Sequence, residues 1–418
     1  MASLALLAAA GVRPTPNGLE PESVKDSPQD HEMPQARGGA EQPVCPVRPL
    51  RNGPSGYPGD LACPVYLVTG YAEARQALGD RRLSKDTAAY FADKDSGRRL
   101  HPALTRTMLA SDPPRHTRPR KLVTKAFTTG AVAALRPFME QVTDALLDAW
   151  PAHGRVDVVA DLAMPLPVTV ICELLGVPEE DRPDVQRWSA DLFAAGQPER
   201  SDAASYAMAE YMTGLIAERR DRPGDALLDH FIRVRDGEDR LGEEELVSLA
   251  VLLLVAGHET TTHFIGNALL ALLQHPSELA RLRDAPDLVP GALDELLRHG
   301  SPVSTATFRY TTEAMTLGGT EIPADTPVQV AIGAANRDPA RFPEPDQLDL
   351  GRDATGHLGF GYGIHRCVGA PLARAEAEIA LRKVLTRFPA LRLAVPQEQL
   401  AWRPTRLVHG LAALPVLV

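Results

Sequence analysis

The chain of 418 residues contains only four cysteines, and none of them forms a C-x-x-C pair. So few thiols exclude a disulfide-stapled scaffold and argue against a structural zinc site. An excess of positive charge is also missing, because 54 acidic residues outnumber 44 basic residues and leave a net charge of −10. This balance argues against a general nucleic-acid-binding protein. The remaining composition, 44% apolar and 23% charged, is that of a globular chain.

No segment of the sequence combines the length and the flanking charges of a membrane span or a signal peptide. The apolar start at residues 1–12 is shorter than the roughly 20 residues that a span needs, and no Lys or Arg precedes it. The longest later apolar stretch, residues 246–256, runs directly into Gly257, His258 and Glu259. We therefore expect a cytoplasmic protein that does not enter a membrane.

Composition divides the chain into a leader and one domain. Residues 1–62 are rich in Pro, Gly and charged residues and show little periodicity, which predicts a flexible or poorly ordered N-terminal leader. Residues 63–418 are predicted to form a single domain. Within it, residues 65–69 indicate a short strand, and helical periodicity dominates residues 120–388. The predicted fold class is mainly α with small β-sheets.

One predicted helix differs from the others in its length and its apolar middle. Residues 243–273 contain no helix breaker except Gly257 and Gly266 and would form a rod of roughly 46 Å. The middle is apolar nearly all round, so we expect a central buried helix. The stretch A-G-H-E-T-T-T-H at residues 256–263 contains poor helix formers. It permits either a local widening that holds water or a small ligand, or an ordinary helix with satisfied hydroxyls.

The most informative segment surrounds Cys367. Gly359, Gly361, Gly363 and Gly369 flank this cysteine, and glycines at such density let a backbone pass close to a large flat object. A helical pattern follows, so the cysteine lies at a helix N-terminus, where free N–H groups and the helix dipole stabilise a thiolate. A lone cysteine ligand indicates a metal held mainly by another group, such as a porphyrin. The alternative, a buried structural cysteine in a turn, leaves the glycines unexplained.

Residues 360–369 read F-G-Y-G-I-H-R-C-V-G and resemble the haem-binding signature of the cytochrome P450 family. The sequence is similar to the bacterial branch that acts on macrolides and other secondary metabolites, from about residue 65 to the C-terminus. A-G-H-E-T at residues 256–260 resembles the acid–threonine pair of the family's oxygen-binding helix, and E-L-L-R at residues 295–298 resembles its E-x-x-R pair. The resemblance implies the P450 fold, with the long central helix over the haem.

The resemblance also implies a cofactor and the residues that hold it. The cofactor would be haem b (iron protoporphyrin IX), with the Cys367 thiolate as the ligand of the metal. His116, Arg120, Arg309 and His365 would bind the haem propionates. The full set of implied cofactor-binding residues is Cys367, His116, Arg120, Arg309, His365, Phe360, Gly361, Gly369, Ala256 and Gly257.

The implied activity is that of a haem-dependent monooxygenase. Thr260 would hold a proton-donating water, and Glu259 would relay protons from solvent in a general-acid role. We expect hydroxylation or epoxidation of a hydrophobic secondary metabolite, in particular a macrolide or other polyketide, with O₂ and two electrons. The alternatives are an oxidative coupling or ring-forming P450 on another natural product, or a steroid or terpenoid hydroxylase. A haem-thiolate sensor or a peroxide-driven enzyme would be expected to lack the Glu259–Thr260 pair.

Two further groups of residues follow from the family's pattern. Glu295 and Arg298 lie three apart, so they share one helix face, and with Arg352 they would form a structural charge triad that supports the cysteine loop. The positions expected to line the substrate pocket are mostly apolar, which favours a hydrophobic substrate. These positions are Val255, Ala256, Val303, Thr305, Leu407 and Val408.

We expect the electrons to come from another protein, because the sequence shows no flavin or iron–sulfur segment. A ferredoxin and its reductase, supplied by NAD(P)H, are the implied partners. A monomer without a nucleic-acid partner is expected. One departure from the family's pattern is the breaker-rich stretch at residues 45–57, where the family usually has a short helix. The ferredoxin would dock on a basic face of this otherwise acidic protein, formed by Arg115, Arg118, Lys121, Lys125 and Arg366.

Overall fold

Helices make up most of the chain that the structure describes. The structure is a computed structural model, and it describes residues 45–50, 64–94, 98–194, 196–236, 241–405 and 407–418. Of the predicted leader, residues 1–44 and 51–62 lie outside the described residues. The α-helices of the described ranges are α1 (Tyr71–Gly79), α2 (Thr87–Tyr90), α3 (Pro102–Thr105), α4 (Thr117–Ala126), α5 (Thr129–Asp148), α6 (Pro165–Leu175), α7 (Arg182–Leu192), α8 (Pro198–Asp221), α9 (Leu227–Asp236), α10 (Glu243–Gln274), α11 (Pro276–Asp284), α12 (Val289–His299), α13 (Ile332–Ala335) and α14 (Ala370–Arg387).

The strands are short and form four small sheets. They are β1 (Val47–Leu50), β2 (Val65–Val68), β3 (Leu83–Ser84), β4 (Arg155–Asp157), β5 (Tyr310–Thr311), β6 (Met315–Leu317), β7 (Thr320–Ile322), β8 (Val328–Val330), β9 (Arg392–Leu393) and β10 (Pro415–Leu417). The sheet orders are β1-β2-β8, β4-β10-β9, β3-β5 and β6-β7. β2 and β8 run parallel, and the other pairs run antiparallel. The predicted class, mainly α with small sheets, is confirmed.

The prediction of a flexible leader was wrong for Val47–Leu50, which form β1. This strand pairs antiparallel with β2, with Val47 opposite Val68, and the Val47 side chain is buried. The composition concealed the strand because Pro49 lies within it. Proline is tolerated here because β1 is an edge strand, so a missing N–H donor need not leave a neighbouring carbonyl without a partner.

The long helix predicted at residues 243–273 is present as α10, at the centre of the fold. It packs against α6, α8 and α14, and Glu245 accepts a hydrogen bond from the Gly242 N–H (2.6 Å) at its start. Acidic side chains in this first turn also suit the positive end of the helix dipole. By length and composition α10 could cross a membrane, but 72% of its most apolar window is buried inside the protein, as expected of a core helix.

α10 is continuous through residues 256–263, so the local widening considered from the sequence is not formed there. Thr260 Oγ1 lies 3.4 Å from the Ala256 carbonyl oxygen, whereas Thr262 Oγ1 is buried without a partner among the described residues. The poor helix former Gly257 has a packing role, because a Cβ at this position would lie 2.8 Å from the Ile171 side chain on α6. Close helix packing therefore outweighs low propensity here.

The three residues of the predicted triad are in contact, with Glu295 and Arg298 on α12 and Arg352 in a later loop. Arg298 Nε donates to Glu295 Oε2 (2.6 Å), and Arg352 Nε donates to Glu295 Oε1 (3.1 Å). Arg298 is fully buried and also donates to the Asn336 carbonyl oxygen (2.9 Å). Asn336 Oδ1 in turn accepts from the N–H of Leu358, where the cysteine loop begins (2.7 Å). One buried guanidinium thus connects α12 to the start of that loop.

We expect Glu295→Gln to lower the free energy of unfolding by about 3–5 kcal/mol, because it leaves Arg298 and Arg352 without their carboxylate. Urea unfolding followed by circular dichroism measures the change. The control is Asp184→Asn, which breaks an exposed pair with Arg187 and should cost less than about 1 kcal/mol. Equal losses from the two substitutions would contradict the structural role of the triad.

Candidate active site

The residues around Cys367 form a tight loop at the N-terminus of α14. The Cys367 N–H donates to the Phe360 carbonyl oxygen (2.8 Å), which closes the loop. Gly361 and Gly363 have φ angles of +71° and +74°, a left-handed conformation that favours glycine. A Cβ at Gly363 would also lie 2.8 Å from the Leu78 carbonyl oxygen. The loop can therefore approach α1 only because Gly363 has no side chain.

The Cys367 sulfur lies where opposing effects act on its charge. Burial raises the pKa of the thiol, while N–H groups of Gly369 and Ala370 and the guanidinium groups of Arg120 and Arg366 lower it. Burial has the largest effect and raises the pKa overall, although Cys367 itself keeps accessible surface. A metal cation bound to the sulfur would supply the positive charge that the thiolate still needs.

The four basic residues predicted to bind propionates gather beside this loop. His116 and Arg309 are buried, and the ring centroids of His116 and His365 lie 4.4 Å apart. The Nε2 atoms of both histidines are buried without a hydrogen-bond partner among the described residues. Burial, together with the positive charges of Arg309, Arg120 and Lys85, lowers the pKa of His365 to about 2. These rings are therefore neutral near pH 7 and leave Nε2 available to a ligand.

Lys85 is a fifth basic residue of this cluster, and the sequence analysis did not assign it to the site. Its side chain is buried, and Nζ donates to Thr307 Oγ1 (2.5 Å). Asp112 is the one carboxylate among the described residues that counters the charges of Lys85, His116 and Arg309. Such an excess of buried positive charge suits a ligand with several negative charges. The residues therefore fit a haem, which carries two carboxylates.

The two predicted proton-delivery residues are neighbours on α10 but have different surroundings. Thr260 is half-buried, whereas Glu259 is buried and its Oε2 accepts a hydrogen bond from Arg403 (2.9 Å). His263 Nε2 lies 3.7 Å from the same carboxylate. Burial lowers the pKa of His263 to about 4, so this ring is neutral near pH 7. Arg403, which the sequence analysis missed, is therefore the charge partner of Glu259.

Arg403 reaches α10 from a turn near the C-terminus. Its N–H donates to the Gly410 carbonyl oxygen (2.9 Å). Gly410 packs so closely on His263 that a Cβ there would overlap the imidazole ring. The turn is tied to α10 once more where Asn267 Nδ2 donates to the His409 carbonyl oxygen (2.8 Å). This turn thus holds Arg403 opposite Glu259.

The residues predicted to line a substrate pocket come from α10 and from two segments that pair with each other. Val303 and Val408 form an antiparallel bridge, and the Ser304 N–H donates to the Leu407 carbonyl oxygen (3.0 Å). Thr305 is buried and takes part in a second bridge. The remaining predicted positions, Val255 and Ala256, keep accessible surface on α10.

The basic face predicted for a redox partner is partly neutralised within the chain. Arg115 pairs with Asp86, and Arg118 pairs with Glu245. These pairs reduce the positive charge that the two arginines offer to a partner. The other three residues of the predicted face, Lys121, Lys125 and Arg366, are exposed.

A cysteine loop at a helix N-terminus beside buried, uncompensated cations places the chain among the haem-thiolate proteins. A family model for cytochrome P450 matches residues 183–403. The chain is 49% identical over 359 residues to cytochrome P450 107B1 of Saccharopolyspora erythraea, covering 84% of this chain and 89% of that protein. It is 46% identical over 358 residues to the cytochrome P450 monooxygenase PikC of Streptomyces venezuelae, covering 84% and 85%.

Solved structures agree with this similarity. The tirandamycin C-bound P450 monooxygenase TamI has a TM-score of 0.83 and 46% sequence identity, over 88% of this chain and 93% of that chain. The chain belongs to the cytochrome P450 family. The resemblance inferred from the sequence and the enzyme class, a P450 monooxygenase, are confirmed. Membership of this family implies a haem cofactor.

Two matched glycine variants separate backbone strain from steric exclusion in the cysteine loop. Gly361→Ala and Gly363→Ala each place a side chain at positive φ, which costs about 1–2 kcal/mol. At Gly363 the Cβ would also lie 2.8 Å from a carbonyl oxygen, whereas the nearest atom at Gly361 is 4.0 Å away. We therefore expect the second variant to lower the melting temperature and the haem content more than the first.

The control for these variants is Gly130→Ala on α5, where no atom lies within 4 Å of the added Cβ. Alanine is the better helix former, so this substitution should leave stability unchanged or raise it slightly. Differential scanning calorimetry and haem absorbance supply the two readouts. Equal losses at Gly361 and Gly363 would show that the contact with α1 is not a constraint on the loop.

Proposed function

We propose that this monooxygenase hydroxylates or epoxidises a hydrophobic secondary metabolite, in particular a macrolide or other polyketide, with O₂ and two electrons. The observation that carries the proposal is the Glu259–Thr260 pair on α10 in a chain whose Cys367 loop fits a haem. Similar proteins include 6-deoxyerythronolide B hydroxylase of Saccharopolyspora erythraea (43% identical) and mycinamicin IV hydroxylase/epoxidase of Micromonospora griseorubida (42% identical). The apolar side chains of Val303 and Val408 support a hydrophobic substrate.

In this proposal Cys367 supplies the thiolate ligand to the iron of haem b. When bound, the haem supplies the oxygen activation, and the protein positions the reactants and controls the protons. The N–H groups of Gly369 and Ala370 hold part of the thiolate charge, and Phe360 closes the loop around the sulfur. The propionates are held by His116, Arg120, Arg309 and His365.

Proton delivery is assigned to the two neighbouring residues on α10. Thr260 Oγ1 holds a water molecule, and Glu259 passes protons to that water from solvent. Arg403 fixes the Glu259 carboxylate, and the Arg403 side chain is 25% exposed. Arg403 therefore lies between the buried carboxylate and the protein surface, which suits a proton path to solvent.

The electron donor in this proposal is an acidic ferredoxin, reduced by NAD(P)H through its reductase. Lys121, Lys125 and Arg366 are exposed, and a cleft of about 730 Å³ opens beside the cysteine loop. Opposite charge speeds the encounter of such partners. A cytoplasmic monomer is also proposed; α10, the one described helix long and apolar enough to cross a membrane, is mostly buried in the core. The cleft adds two basic residues that the predicted face lacked, Arg75 and Arg341, whereas its Arg374 pairs with Asp294.

A second reaction on the same site is oxidative bond formation. The P450 enzyme CxnD, described as acting in C–S bond formation in chuangxinmycin biosynthesis, has a TM-score of 0.78 and 38% identity over 85% of this chain. Product mass separates the two reactions. Oxygenation adds one oxygen atom to the substrate, whereas coupling removes two hydrogen atoms and adds no oxygen.

The absorption spectrum of the reduced, carbon monoxide-bound protein tests the haem and its ligand together. We expect the strongly red-shifted Soret band of thiolate ligation, and its loss in Cys367→His. Cys45→Ser is the matched control, because Cys45 is a free, exposed thiol, and this variant should keep the band. A haem-free protein, or a band that survives Cys367→His, would overturn the assignment of the ligand.

A double-mutant cycle tests whether Arg403 holds Glu259. The cycle compares Arg403→Leu, which leaves a buried carboxylate unpaired, with Glu259→Gln, which leaves the arginine unpaired. The double variant removes both charges. We expect a coupling free energy of about 1–3 kcal/mol in urea unfolding. With a substrate found by product screening, Arg403→Leu should also form several-fold less product per NAD(P)H consumed, and Arg403→Lys should retain most of it. Additive stability losses would argue against the pair.

A further inference from the structure

The cation cluster beside the cysteine loop contains one more basic residue, Lys85, than the four predicted to bind the propionates. Lys85 is only 2% exposed, yet its Nζ has a neutral partner, Thr307 Oγ1. No carboxylate of the described residues forms an ion pair with Lys85 or Arg309. A buried charge without an ionic partner is costly, so the position needs a reason.

Asp112 is bonded to the backbone of Lys85 and not to its ammonium group. Its Oδ2 accepts from the Ser84 hydroxyl (2.5 Å), and its Oδ1 accepts from the backbone N–H of Lys85 (3.2 Å). These bonds fix the backbone at the end of β3 and leave Nζ to another partner. Asp112 therefore positions Lys85 without neutralising it.

Strand pairing places Lys85 beside a second cation. β3 and β5 are antiparallel, with Leu83 opposite Thr311 and Ser84 opposite Tyr310. The same register brings Lys85 opposite Arg309, immediately beyond the paired residues. Like charges directly opposite each other destabilise a sheet. Burial and the nearby Arg309 also lower the pKa of Lys85 well below its ordinary value. An anion between the two side chains would remove this repulsion.

We propose that Lys85 binds a carboxylate of the haem, as a third cation beside Arg120 and Arg309. This inference rests on the proposed haem site and adds a residue to it. The contacts of the cluster support it, because Asp112 is bonded to the Ser84 hydroxyl and to the backbone N–H of Lys85, and the Lys85 ammonium group has only the neutral Thr307 hydroxyl as a partner among the described residues. The haem carboxylates would supply the anionic partner that the described residues do not.

Haem release from the holoenzyme tests the proposal without measuring activity. Transfer of haem to an excess of apomyoglobin gives the release rate from the change in absorbance. Loss of a charge-assisted hydrogen bond should make Lys85→Met release haem roughly 10- to 100-fold faster than the wild type. Lys85→Arg keeps the charge and should stay close to the wild-type rate.

Two controls separate haem binding from a structural role. Lys94→Met removes an exposed lysine that pairs with Asp325 and should not change the release rate. Thr307→Val removes the protein partner of Lys85 Nζ but keeps its charge, so it should have a much smaller effect than Lys85→Met. If Lys85→Met does not fold, Lys85→Gln removes the charge and can still donate a hydrogen bond to Thr307.

The outcomes distinguish this proposal from the proposed function. A wild-type protein without the thiolate Soret band would overturn the haem site and Lys85 with it. A wild-type protein that shows the band, combined with an unchanged release rate in Lys85→Met, would overturn the role of Lys85 alone. Equal acceleration in Thr307→Val and Lys85→Met would show that the Lys85–Thr307 bond is structural and not a haem contact.

Discussion

The position of the cysteine loop depends on the hydrogen bonds that one buried arginine, Arg298, forms. Arg298 is shielded from solvent, and a guanidinium in that position needs a partner for each of its N–H groups. Glu295 accepts from it in two places, and the carbonyl oxygens of Asn336 and Pro345 accept as well. Asn336 Oδ1 also accepts a hydrogen bond from the N–H of Leu358. The planar guanidinium group of Arg298 therefore fixes the place where the loop begins.

Buried charge is balanced around Arg298 but not around Lys85 and Arg309. Around Arg298 each charge has a partner within the chain, so these contacts are rigid without any ligand. Around Lys85 and Arg309 the cations outnumber the carboxylates, so the fold alone leaves the cluster unbalanced. A cluster held by the rigid contacts around Arg298 has little freedom to move its cations apart. An anionic ligand such as the proposed haem would lower its electrostatic energy, and haem binding would then contribute to the stability of the protein.

Features encoded by local spacing could be predicted from the sequence, and features made by distant contacts could not. The periodicity of α10 and the i, i+3 spacing of Glu295 and Arg298 each lie within a single helix. By contrast, Lys85 meets Thr307 across 222 positions, and Glu259 meets Arg403 across 144 positions. Nothing in the neighbourhood of either residue indicates its partner. The family resemblance supplied the propionate residues but not these two contacts.

In two elements, tertiary contacts outweigh a local signal. Pro137 lies inside α5, which begins at Thr129 and continues through the proline. Thr128 caps that start by accepting from the Ala131 N–H (3.3 Å). The cap and the packing of α5 on α14 outweigh the cost of one internal proline. In β1, pairing with β2 likewise outweighs a composition that is typical of a leader.

In the proposed function, the ion pair of Glu259 with Arg403 also affects how a proton would reach Thr260. Successive side chains on a helix point about 100° apart, so Glu259 and Thr260 cannot face the same space in one arrangement. In the structure the carboxylate accepts a hydrogen bond from Arg403, whereas the Thr260 hydroxyl lies 3.4 Å from the Ala256 carbonyl oxygen. A proton therefore passes between them only through a bridging water or after the carboxylate leaves the arginine. In the proposed proton delivery, the second route requires the Glu259–Arg403 ion pair to open, so the strength of this contact with the C-terminal turn would limit a step on the central helix.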